Sequence, residues 1–310
     1  IVVLNITTQF KLFSICLVAI LFLACSQIPT SSDSEPIVGF KKAHWGSLSP
    51  SGYQIVLATE DLAVGKNRFV FGIVNKDGFI PNEFVTLFSS FYSSSQSEPQ
   101  IKDVVTAKFY SWPYGTKGSY VTELDFDKPG KWKIDVSVEN DKYELETVQL
   151  IFHVNAVSNA PGIGVKAYES VNKIINNVQS IDQLTSGSIK DRELYEINIK
   201  DALAGNKPIV VVFASPGFCI NPVCGPQVEV LQKLKNKYKS QAYFIHVEFY
   251  DNPDEMQFDI KKARVSPIVL EWNLPSIEWT FVIDDSGYIV GKFEAFTNIQ
   301  EIESLLVTLF

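Results

Sequence analysis

Apolar and polar positions change rhythm along the 310 residues, and each change marks a different kind of structure. From about Phe40 to Ala156 the apolar runs are short and rich in Val, Ile, Phe, Tyr and Thr. They predict strands over Tyr53–Thr59, Asn67–Asn75, Val105–Trp112, Ser119–Phe126, Lys131–Asn140 and Glu146–Asn155. Turn residues separate them at Asp77-Gly78, Pro113–Gly115 and Pro129-Gly130. In "WKIDVSV" apolar and polar residues alternate, which buries one face and wets the other. The polar stretch Ser89–Gln100 reads as a loop. Short strands with no convincing helix predict a β-sandwich over 40–156.

Residues 157–193 then read as a linker and approach segment, and from 194 to 310 the rhythm lengthens. Ile209–Ser215 is a continuous apolar run, the mark of a strand buried on both faces. Gly225–Tyr238 sets Val228, Leu231, Leu234 and Tyr238 on one helical face with lysines opposite. Ala242–Tyr250 is a second buried strand. Glu278–Phe296 reads as two antiparallel strands turning at Asp285-Ser286-Gly287, and Asn298–Phe310 as a closing amphipathic helix. This order predicts an α/β unit with a mixed sheet and flanking helices.

The N-terminal region follows neither rhythm. Lys11 precedes an apolar run from Leu12 to Ala24, too short for a comfortable membrane span but matched to a secretory signal over 1–24. Leu23-Ala24-Cys25 resembles a bacterial lipobox, which implies cleavage before Cys25 and lipid attachment to it. A polar tether, 25–39, follows. The expected location is outside the cytoplasm, anchored to the cell membrane as a lipoprotein.

Composition adds exclusions. The net charge of −8 and pI near 5.0 come with no basic stripe, so nucleic acid is not an expected partner. No phosphate loop, zinc signature or Ser-His-Asp order occurs, and neither cofactor nor metal is expected. Of the four cysteines, Cys16 lies in the signal and Cys25 takes the lipid, which leaves Cys219 and Cys224 in the folded body. Outside the cytoplasm a lone close pair is oxidised or redox-cycling.

The stretch "VVVFASPGFCINPVCGPQ" holds that pair. A redox reading needs a thiolate near a helix start, where free N–H groups favour an anion, and a second sulfur to resolve a mixed disulfide. The motifs "KPIVVVFASPGFC…CGP", "YFIHVEFYD" and "WTFVIDDSGYIVGKFEA" resemble the thioredoxin superfamily, in particular extracytoplasmic thiol-disulfide oxidoreductases, and "FDKPGKWKIDVSVE" resembles immunoglobulin-like domains of bacterial surface proteins. The resemblance implies a thioredoxin-like fold over 194–310 after an immunoglobulin-like sandwich. It further implies that Cys219 attacks envelope protein thiols or disulfides and Cys224 resolves, with Pro216, Phe218, Pro222, Pro226, Glu278 and Trp279 lining the site. Glu278-Trp279 stand where that superfamily carries a cis-proline, and Val212 where it often buries an acid. The cysteine pair also admits a static disulfide, which would make the chain a non-catalytic envelope interaction protein. A copper site would need His246, which reads as a satisfied core residue. Glu248, Tyr250 and Asp251 read as a solvated strand end.

Overall fold

The structure is a computed structural model, and it describes residues 43–93, 98–113, 117–140, 142–219 and 226–310. The expected signal, the tether and Cys25 lie outside the described residues, as do Pro222 and Cys224.

Strands β1 (His44–Trp45), β2 (Gln54–Leu57), β3 (Gly65–Asn75), β4 (Gly78–Phe79), β5 (Phe84–Phe91), β6 (Gln100–Ser111), β7 (Gly118–Phe126), β8 (Gly130–Glu139) and β9 (Leu145–Val154) form one antiparallel sheet. Its order is β1-β2-β3-β7-β6-β5-β8-β9, with β4 paired to β3. Long twisted strands coil, and here coiling brings the two ends of the sheet together. Ser47 N donates to Gln149 O at 3.0 Å, Val64 N to Asn155 O at 3.0 Å and Asn155 N to Leu62 O at 2.9 Å. A Cβ on Gly46 would lie 2.1 Å from Gln149 O, so the closure depends on glycine there. Inward residues alternate along β8 (Trp132, Ile134, Val136, Val138) and β9 (Val148, Leu150, Phe152, Val154). They meet Phe69, Phe71, Tyr120 and Phe126 in one core.

This corrects the expected immunoglobulin-like sandwich. The strands do not divide into two facing sheets but make a single, nearly closed, barrel-like one. The strand that joins its halves is β5, where the sequence reading predicts no strand and starts a loop at Ser89. Ser89 and Ser90 are buried strand residues at a register shift, not the start of a loop.

The second sheet holds β10 (Ile209–Ala214), β11 (Tyr243–Glu248), β12 (Trp279–Ile283) and β13 (Ile289–Glu294) in the order β11-β10-β12-β13. The β10–β11 pair is parallel, joined through a helix at Gln227–Tyr238, and the other pairs are antiparallel. All six residues of β10 are buried. Val210, Val212 and Ala214 pack with Val228, Leu231 and Leu234 of that helix and with Ile302 and Leu306 of the helix Ile299–Leu306. Ile209, Val211 and Phe213 pack with Trp272, Trp279 and Phe281 on the opposite face.

The expected α/β thioredoxin-like class is corrected too. The described residues are predominantly β, 38% strand against 20% helix, and the antiparallel barrel-like sheet dominates them. Among the described residues only Gln227–Tyr238 and Ile299–Leu306 are helices of eight residues or more. The remaining helical pieces are short turns, so few helices flank any sheet.

The barrel and the mixed sheet share a polar seam. Arg68 of β3 donates to both carboxylate oxygens of Glu301 (2.8 and 3.0 Å) and to the carbonyls of Glu294 and Phe296 (both 2.8 Å). Asp61 accepts from the Asn159 and Ala160 amides and pairs with Lys292. Those bonds, with burial opposing them, leave its carboxyl below the usual carboxylate range. Trp112 meets Phe296 edge-on at 6.1 Å.

Candidate functional site

The loop that leaves β10 is Ser215-Pro216-Gly217-Phe218-Cys219. It starts as a turn, with Phe218 N donating to Ser215 O at 3.1 Å. Cys219 is half-buried and disulfide-bonded. Pro216 is exposed, while Phe218 is half-buried with its ring edge-on to Tyr250 at 6.4 Å. Pro226, expected as an early helical residue, is the N-cap of Gln227–Tyr238, and its carbonyl accepts from Glu229 N and Val230 N.

Glu278 and Trp279 lie at the same end of the sheet, because Trp279 pairs with Phe213 next to that loop. No cis peptide occurs among the described residues; Glu278 instead takes a positive φ of 83°. Such a backbone is costly for a side chain with Cβ and persists only where the surroundings enforce it. Here the Glu278 carbonyl is held by Ala295 N at 2.8 Å, and Ala295 is itself left-handed at 64°. Trp279 is a core residue rather than a surface liner. It is fully buried, stacks on Phe281 and donates its Nε1–H to Ser276.

The chemistry that sequence reasoning missed lies one strand over. Glu248 ends β11 opposite Ala214 and is buried, not solvated. Its Oε2 accepts from Ser186 N at 2.7 Å and Ser186 Oγ at 2.9 Å. Ser186 Oγ in turn accepts from Gly217 N at 2.9 Å, two residues before Cys219. Burial pushes the Glu248 carboxyl up to about 7, although the Ser215 hydroxyl and the Ser186 and Tyr250 amides favour the anion. An acid absent at Val212 is therefore present at Glu248. A Glu inside an otherwise apolar strand, in "YFIHVEFY", was the available signal. Ser186 carried none, since it sits in an irregular segment.

His246 is a satisfied core residue. Its Nε2 faces the Ala214 carbonyl at 3.2 Å, an acceptor only, so Nε2 carries the proton. Nδ1 then accepts from the Tyr195 hydroxyl at 2.7 Å. Burial pushes the imidazole down to about 4, so it is neutral at pH 7. Both nitrogens are occupied, and no group of three or more metal-ligating side chains occurs among the described residues.

At the carboxyl ends of β10 and β11, then, the loop that carries the disulfide-bonded Cys219 is tied at Gly217, through Ser186, to a buried acid whose carboxyl burial pushes up to about 7. Crevices at strand carboxyl ends are the usual ligand sites of sheets with parallel strands.

No protein-family model matches the chain, so the resemblance to the thioredoxin superfamily finds no support there. No curated protein matches it either. Among solved structures, the soluble domain of PmoD from Methylocystis sp. ATCC 49242 (Rockwell) is similar at 18% identity. The match covers 36% of this chain and 98% of that one, with a TM-score of 0.27, and at that score it carries no argument. No helix among the described residues is long and apolar enough to cross a membrane.

Proposed function

We propose that the chain is an envelope thiol-disulfide exchange protein whose redox pair is Cys219 and Cys224. One observation carries this reading: a disulfide-bonded, half-exposed Cys219 in the loop after a fully buried strand, linked through Gly217 and Ser186 to the near-neutral acid Glu248. A purely structural staple has no use for such an acid, whereas thiol chemistry has, because the thiolate is the nucleophile.

In the reducing direction the Cys219 thiolate attacks one sulfur of a protein disulfide. A mixed disulfide forms, and the second substrate sulfur leaves as a thiolate. The Cys224 thiolate then attacks Sγ of Cys219, freeing the first substrate sulfur and closing the Cys219–Cys224 bond. Two electrons pass to the substrate, and the two protons lost by the pair are taken up by the substrate thiolates. A dithiol donor returns the pair to its reduced form. The signal-like N-terminus and Cys25 support action outside the cytoplasm at a membrane, where disulfides persist.

Trapping tests the assignment. With Cys224→Ser, mixed disulfides should accumulate through Cys219 and run as reducible high-mass bands; Cys219→Ser should trap few. The opposite pattern makes Cys224 the nucleophile. If neither variant traps a partner and the couple lies below about −300 mV, the bond is a staple and the chain is a non-catalytic interaction protein.

A further inference from the structure

A cavity of about 150 Å³ opens at the carboxyl end of β11. Val171, Leu184, Tyr250, Pro267 and Ile268 supply much of its wall. Leu184 and Tyr250 are buried, Ile268 is half-buried, and Pro267 is exposed. Val171 is apolar and yet 65% exposed. The polar groups that share the wall are engaged within the chain. Lys173 Nζ pairs with the Asp251 carboxylate at 2.6 Å, Asn172 Oδ1 accepts from Ile199 N at 2.9 Å, and the Tyr195 hydroxyl is taken by His246 Nδ1. A charged ligand group would lose its hydration here without gaining a partner, whereas apolar carbon gains by leaving water.

The cavity adjoins the Cys219 loop in two places. Phe218, the neighbour of Cys219, sets its ring edge-on to Tyr250 at 6.4 Å, and Tyr250 is in the wall. Leu184, also in the wall, lies two residues before Ser186, whose Oγ accepts from Gly217 N. An extended chain advances about 3.3 Å per residue, so a polypeptide whose disulfide meets Cys219 passes the cavity within a few residues of its own cysteine. A volume of roughly 150 Å³ is the size that accommodates one benzene-like ring, which a phenylalanine or leucine side chain matches.

We propose that this cavity is a specificity pocket of the exchange site, taking a bulky apolar side chain, phenylalanine or leucine, that the substrate polypeptide carries within a few residues of the cysteine attacked by Cys219. The inference rests on the redox reading, since the Cys219 loop is what brings the substrate to the cavity. It asks for carbon contact with the wall and for no polar atom of it.

The test uses the intact, reduced chain and short peptides that hold one cysteine as a mixed disulfide with a small thiol. The other positions are alanine and serine, and phenylalanine is placed at each of them in turn. At one position phenylalanine should raise kcat/KM at least about tenfold over alanine, the factor that burial of one bulky apolar side chain supplies, and aspartate there should give no gain. The same peptide with serine for cysteine should shift the methyls of Val171, Leu184 and Ile268 in NMR. Val171→Arg, at the exposed rim, should erase the ratio of phenylalanine to alanine, and the methyl map of the unmodified chain gives the same localisation should that variant misfold. Exchange that is equal for phenylalanine and alanine at every position, or shifts that map elsewhere, would overturn this inference and leave the redox reading standing. No exchange with any peptide would remove the redox reading and the inference with it.

Discussion

Replacing Glu248 by Gln should change how stability depends on pH, in a direction that the linkage fixes. Burial raises the folded carboxyl from its ordinary 4.5 to about 7. Between those values the folded protein holds a proton that the unfolded chain has released, so Glu248 makes stability fall as pH rises through this window. At about 1.4 kcal/mol per pH unit, the full penalty above pH 7 is about 3 kcal/mol. Gln is close to isosteric and stays neutral, so it escapes this penalty. Two other buried groups titrate nearby. Glu294, raised to about 7, acts with the same sign. His246, lowered to about 4 from 6.5, acts oppositely, because its neutral folded form gains stability as pH rises through that interval. Both are present in the two proteins and cancel in their difference. Urea unfolding followed by tryptophan fluorescence at pH 5, 6, 7 and 8 reads that difference. The variant should gain about 2.5 kcal/mol on the parent between pH 5 and pH 8, since part of the penalty is already present at pH 5, whatever constant offset the substitution adds. A difference flat to within about 0.5 kcal/mol, or one of opposite sign, would refute the reasoning.

Two further outcomes are expected. Arg68→Ala removes four hydrogen bonds at the barrel seam, leaves the Glu301 carboxylate with Asn298 as its donor and takes a donor from each of two carbonyls, and should cost about 2–3 kcal/mol in urea unfolding; a loss below about 0.5 kcal/mol would place the pair with ordinary surface ion pairs. Cys25→Ser should release the body from membranes or leave an unprocessed precursor, and unchanged membrane retention without processing in either form would replace lipid attachment with a plain anchor.

Local periodicity was a good guide to strands with one wet face. β8 alternates as "WKIDVSV" does, and β3, β7 and β9 fall where β-branched and aromatic residues cluster. β5 escapes the sequence reading altogether, and Ser89 and Ser90 near its end look like loop residues, yet both sit buried at a bulge. Closure was not legible at all. It depends on bonds such as Ser47 to Gln149, about a hundred positions apart, and on the absence of a side chain at Gly46. The family resemblance failed for a related reason. "FVIDDSG" and "CGP" are local turn and strand-end solutions that different assemblies can share, so they describe hairpins and helix starts without fixing the architecture. At the candidate site the cysteine loop was legible. Glu248 was visible but assigned to solvent, because burial at a strand end depends on the segment carrying Thr185 and Ser186, whose packing has no period to read.

The two near-neutral acids share a construction that bears on how the site is held. Glu248 ends β11 and Glu294 ends β13, and each accepts backbone amides from a segment far away in sequence. For Glu248 the donor is Ser186; for Glu294 the donors are Glu60 and Asp61 of the barrel, both at 2.9 Å. Amides favour the anion and burial opposes it, so each carboxyl sits between its two forms near pH 7. Glu294 also pairs in register with Trp279, whose other neighbour is Phe213 of β10. A rigid path of paired strands thus runs from the barrel seam through β13 and β12 to the strand that carries the Cys219 loop. The same loop is gripped from its other side by Ser186 on Glu248.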